Sequence, residues 1–280
     1  MIATNLLGTA VPVDSGWTLA PIVLIALAAY IGIYVWRWRD ARAEGGPRAA
    51  PVGKLVLWVT GIACLFVALV SPVDRLGEQL ASMHMVQHLL IADLAPICLT
   101  LALTKHILRP VTRRIQWLER AAGPFGHPAF GVVAYVGAMW IWHIPVMYEA
   151  ALRHGFVHVL EHLSFAAAGL IYWWHLLSPI RSRLRLGGLG PVLYMASTKI
   201  LVGFLGILLA FSPDVLYHFY EVGQGSTRWG MSPLDDQRVA GLIMALEQSI
   251  VMGIALAYLF VRMLAESEEE DQRAERYGTV

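Results

Sequence analysis

Seven times along this chain of 280 residues, some twenty apolar residues follow one another with almost no charge among them. A helix needs about 20 such residues to cross the hydrocarbon of a bilayer. Inside a bilayer the backbone N–H and C=O groups must be bonded within the protein, so helices or closed barrels are the only spanning forms. The runs are Trp17 to about Trp38, about Val52 to Val70, Ser82 to about Leu103, about Pro128 to Met147, about Phe156 to Leu177, about Gly190 to Phe211 and about Gln237 to Met263. Their length selects helices. The expected fold class is therefore all-α, a bundle of seven transmembrane helices. Only 15% of the residues are charged, against about 25% in soluble domains. No basic face is available for nucleic acid.

The placement of Lys and Arg orients the bundle. Arg37, Arg39, Arg42, Arg48 and Lys54 follow the first run. Lys105, Arg109, Arg113, Arg114 and Arg120 follow the third, and Arg181, Arg183 and Arg185 follow the fifth. The alternate connections hold one each: Arg75, Arg153 and Arg228. Basic loops stay in the cytoplasm, so the N-terminus is expected outside and the C-terminus inside. The first residues lack a basic n-region, and the first run is expected to stay as a helix rather than be cleaved. Residues 1–265 read as one membrane domain and residues 266–280 as an acidic, disordered cytoplasmic tail. Cys64 and Cys98 lie inside apolar runs, which argues against a disulfide framework.

With that topology, seven of the ten histidines gather at the outer membrane face: His84, His88, His143, His154, His158, His162 and His218. His84 and His88 are four apart, about 6 Å along one helical face, and so are His158 and His162. A lone interfacial histidine is better read as bonding water or headgroups. Two such pairs at one depth on two helices read as ligands. Met83 and Met85 flank His84, and imidazole with thioether suits copper, above all Cu(I). Zinc would also accept the histidines. The expected metal set is His84, His88, His158, His162, His143, Met83 and Met85, with no catalytic residue assigned. Asp93, Lys199 and Glu247 fall near the centres of their runs, where an unpaired charge costs at least about 2.5–3.5 kcal/mol. They are expected to face the interior, with Lys199 paired to Asp93, Glu247 or both.

Five stretches, 71-SPVD-74, 83-MHMVQHLLIADLAP-96, 140-WIWHIPVMYEAAL-152, 158-HVLEHLSFAAAGLIYWW-174 and 235-DDQRVAGLIM-244, together resemble the polytopic CtaG-type assembly factors of caa-type cytochrome c oxidases. The resemblance implies a multi-pass protein of the bacterial cytoplasmic (inner) membrane that helps mature a heme–copper oxidase. It further implies supply of copper to oxidase subunits, with a soluble copper chaperone as a further partner. Carried over by motif, the candidate ligands are the same His84, His88, His143, His158 and His162, with Met83 and Met85. Other readings stay open. The string 158-HVLEH-162 matches the H-x-x-E-H of inverted zinc proteases, with Glu161 as base. His88 with His158 or His162 could ligate heme b axially. A metal-free scaffold for oxidase subunits is the fourth.

Overall fold

A computed structural model describes residues 10–180, 186–221 and 227–278, together with most side chains of the last helix. Arg181, Arg183 and Arg185 lie outside these described residues. Among them the chain is helical throughout, with only isolated backbone bridges and no strand. In chain order the helices are α1 (Pro21–Ala49), α2 (Val52–Leu69), α3 (Pro72–Gly77), α4 (Ala81–Leu89), α5 (Ala95–Ala102), α6 (Lys105–Leu108), α7 (Thr112–Ala121), α8 (Pro128–Trp142), α9 (Pro145–Arg153), α10 (Gly155–Leu177), α11 (Gly190–Ala210) and α12 (Pro233–Tyr277).

Six of these are long and apolar enough to cross a membrane, counting α4 to α5 as one, and the bent pair α8–α9 makes up to seven when counted as one span. That pair is where the expected fourth run, Pro128 to Met147, departs from a straight helix. It breaks after Trp142 and turns by 75°. Pro145 causes the break: the residue before a proline is pushed out of the helical region, and Ile144 is extended (φ −63°, ψ 126°). The acidic stretch from residue 266 continues α12 as far as Tyr277.

Between α4 and α5 the third span widens into a π-turn over Leu90–Leu94. Ala95 N–H bonds the carbonyl of Leu90, five residues back. Pro96 follows and has no N–H to offer Ala92. The Ala92 carbonyl faces α10 instead, at Gly169, where a Cβ would stand 2.0 Å from its oxygen. Only glycine lets the two backbones meet this closely. Gly241 does the same for α12 against α11: a Cβ there would lie 2.4 Å from the Ala210 nitrogen. Large apolar side chains such as Ile22, Phe204 and Ile254 are exposed on the outer faces, as lipid contact requires.

The π-turn brings Asp93 to the bundle centre, fully buried. Its carboxylate accepts Tyr135 Oη–H at 2.6 Å and Trp173 Nε1–H at 2.8 Å. The expected cation is not its partner. The buried positions of α11 are Tyr194, Met195, Thr198, Val202, Leu205, Gly206, Leu209 and Ala210. Lys199 is one 100° step beyond Thr198, on the exposed side. The expectation that it faces the interior is therefore overturned, and two neutral donors do for Asp93 what the ammonium was to do. Glu247 does lie on the buried side of α12, beside Asp93 in one chamber.

Candidate metal centre

The start of α4 carries the first histidine pair, and its position is set from across the fold. Asp236, in the first turn of α12, accepts the backbone N–H of Ala81 at 2.6 Å and of Ser82 at 3.2 Å, and also the Ser82 hydroxyl. These are first-turn donors that a helix leaves without internal partners, so a distant carboxylate caps α4. Within α4, Gln87 donates to the Ala68 carbonyl and to Asp74 Oδ1, both at 2.8 Å. It ties the helix to α2 and α3. His84 and His88 are then on the face turned to α10, and 1% and 3% exposed.

From α10 come His158, Glu161 and His162. Glu161 is 0% exposed. It lies among the four imidazoles, with Oε1 3.5 Å from His84 Nε2 and 3.6 Å from His88 Nε2. The donor atoms of His84, His88 and Glu161 fall within 4.8 Å of one another, and so do those of His158, Glu161 and His162. Ring centres stand 4.2 Å apart within each pair, and His84 is 5.9 Å from His158. Phe165 packs on His88 at 4.2 Å, and Tyr148 lies over His84 at 4.9 Å. Tyr148 itself stacks on Tyr217 and meets the Tyr220 hydroxyl at 3.1 Å. Phenol and phenyl rings thus wall the cluster on two sides.

Eight buried atoms here have no hydrogen-bond partner among the described residues: both ring nitrogens of His84 and of His88, Nε2 of His158 and of His162, and both oxygens of Glu161. A buried carboxylate without a donor is strongly disfavoured. A proton shared with a nitrogen would draw the pair to about 2.8 Å. A metal bonded at about 2.0–2.1 Å holds tetrahedral donors about 3.4 Å apart. The observed 3.5 and 3.6 Å match the second spacing. The donor set, imidazole with one carboxylate, is that of first-row ions such as copper or zinc.

The expected ligand set divides in two. His84, His88, His158 and His162 do come together, from the two helices anticipated. His143 and Met85 stand together just beside them, with Nε2 to Sδ 3.3 Å. Met83 joins neither group. It is one residue from His84 and five from His88, hence about 100° and 140° around the helix from them, and it is half-buried. Reading by sequence missed Glu161 as a ligand and took it only for a hydrolytic base. It also left Asp74, Gln87 and Asp236 without a role, although two of the recognised stretches contain Asp74 and Asp236.

Fold and site together define a polytopic helical membrane protein with a buried imidazole–carboxylate centre between its third and fifth spans. The chain belongs to the cytochrome c oxidase caa3 assembly factor family (Caa3_CtaG), whose family model matches residues 32–266. It is also similar to uncharacterized protein ML1998 of Mycobacterium leprae, at 25% identity over 89% of this chain and 39% of that one. Uncharacterized proteins Mb0105 of Mycobacterium bovis and MT0111 of Mycobacterium tuberculosis are each 26% identical over 68% of this chain and 31% of their own length. The chain spans less than half the length of these relatives. No solved structure matches it.

Proposed function

We propose that this assembly factor binds copper at His84, His88, His158, His162 and Glu161 and delivers it to subunits of a heme–copper oxidase. The observation that carries the reading is the group of eight orphaned donor atoms with two nitrogen–oxygen spacings of 3.5 and 3.6 Å. The family supplies the client, a cytochrome c oxidase. Four imidazole ring centres 4.2 to 6.4 Å apart around one carboxylate favour a single ion over a heme. In the orientation expected from the basic loops, the histidine end of the bundle faces the outside of the cytoplasmic membrane, where a soluble copper chaperone could load it.

The test is the metal content of protein purified from copper-replete membranes, together with oxidase activity in those membranes. The His84→Ala/His88→Ala variant should insert normally, lose its copper and lower oxidase activity. Retention of both would end the reading. A zinc hydrolase using Glu161 as base is the second reading, favoured by the H-x-x-E-H spacing around a buried glutamate. There Glu161→Gln keeps the metal and loses turnover, whereas a ligand role predicts loss of the metal itself.

A further inference from the structure

His143 follows the last turn of α8, at the break before α9, and is 5% exposed. Its Nδ1 lies 2.6 Å from the carbonyl oxygen of Met139. A carbonyl only accepts, so Nδ1 carries the proton, and in the neutral ring Nε2 is left with a lone pair. Nε2 points at Met85 Sδ, 3.3 Å away. A thioether has no proton to give. Two electron-pair donors thus face each other at contact distance, both buried, with no hydrogen between them. The arrangement gains nothing as a hydrogen bond. It is the arrangement an ion between nitrogen and sulfur would use.

The surroundings extend the donor set. Met85 lines a small chamber together with Met139, Met244 and His88, and with the carboxylates Asp93 and Glu247. Three methionines from three helices therefore line one chamber, with His88 on its boundary with the imidazole–carboxylate cluster. Thioether sulfur is a soft ligand that selects Cu(I) and is a poor one for zinc. The cluster around Glu161 has the opposite character, nitrogen and oxygen only.

We propose that the bundle holds a second, soft metal site for Cu(I), bound by Met85 Sδ and His143 Nε2 and completed by the thioethers of Met139 and Met244. The proposal rests on the copper reading above and adds a separate station to it. His88, shared between the chamber and the cluster, is the ligand across which an ion would pass from one site to the other. A bent N–Cu–S unit fits the 3.3 Å separation without movement of either helix. The side chains of Met139 and Met244 are unbranched and adaptable, and their reorientation would complete it.

The experiment uses the full chain in nanodiscs under reducing, anaerobic conditions, loaded with one equivalent of Cu(I). X-ray absorption at the copper edge should show sulfur among the ligands of the wild-type protein. Met85→Leu keeps the volume and removes the donor. It should abolish that sulfur signature and weaken Cu(I) tenfold or more in competition with a colorimetric Cu(I) chelator. Zn(II) affinity, which reports the cluster around Glu161, should stay within twofold. Met244→Leu, on another helix, should weaken Cu(I) by a smaller factor and likewise spare Zn(II). Copper bound by nitrogen and oxygen alone in the wild-type protein would overturn the second site and leave the first standing. Sulfur ligation unchanged in the Met85→Leu variant would do the same. A wild-type protein that takes up no copper at all would overturn both.

Discussion

Asp93 and Glu161 are both carboxylates, both sealed from solvent, and carried by the third and fifth spans of one bundle. Their surroundings are opposite. Asp93 accepts two good hydrogen bonds, from Tyr135 and Trp173. Glu161 accepts none among the described residues, and neither do its four imidazole neighbours donate any through Nε2. The first arrangement is complete as folded. The second leaves a buried carboxyl group without a partner among the described residues, which the proposed metal ion would supply. Depth and burial alone do not separate a structural polar group from a functional one in a membrane. The state of its hydrogen bonds does.

This contrast can be broken at several points, and the largest effect should come from the metal itself. Copper supplied at a hundred times its dissociation constant should stabilise the wild-type bundle by about 2.7 kcal/mol, and a chelator should remove that gain. The increment should vanish in Glu161→Gln. With metal absent, the same variant should be no less stable than wild type, because the group it replaces has no hydrogen-bond partner among the described residues. A metal-free Glu161→Gln protein that unfolds more easily would put Glu161 in the same structural class as Asp93. Asp93→Ala is the mirror test. It removes the acceptor of two buried donors, the Tyr135 hydroxyl and the Trp173 indole N–H, so thermal denaturation should come earlier while copper content holds.

Asp236→Ala removes the distant cap of α4. A lost N-cap costs about 0.5–2 kcal/mol, and copper affinity should weaken along with stability, because α4 carries His84 and His88. Stability lost without any change in affinity would mean that the histidine pair is positioned without the cap. The smallest effect is expected at Lys199, on the exposed face of α11. Lys199→Leu should change stability by less than about 0.5 kcal/mol. A drop of several times that size would restore the interior pairing that the fold argues against.

Much of the bundle can be read from residue order alone, because bilayer thickness sets the length of an apolar run and leaves few alternatives. The two histidine pairs are equally legible, since a spacing of four places both rings on one side of any helix. Lys199 was misread for a related reason. Its helix is apolar on every side, so no periodicity marks which face meets the other helices. Glu161 was visible in the string HVLEH, but its role depends on how closely α4 approaches α10, and that is set by packing. Asp236 caps a helix that begins 155 positions earlier, a relation that no local pattern carries. The bend at Pro145 was foreshadowed by the proline, its 75° angle was not.

The contact at Gly169 has a consequence for the proposed metal centre two turns away. Glu161 and Gly169 are eight residues apart on one rigid helix, about 12 Å along its axis. The Ala92 carbonyl bears on that helix at residue 169, so this contact works as the pivot of a pair of calipers whose tips are the imidazoles. A methyl group at the pivot would spread the tips and loosen every ligand together, although residue 169 touches no ion. The gauge of the binding site is thus kept by a single hydrogen atom, where a residue holds its place by having no side chain.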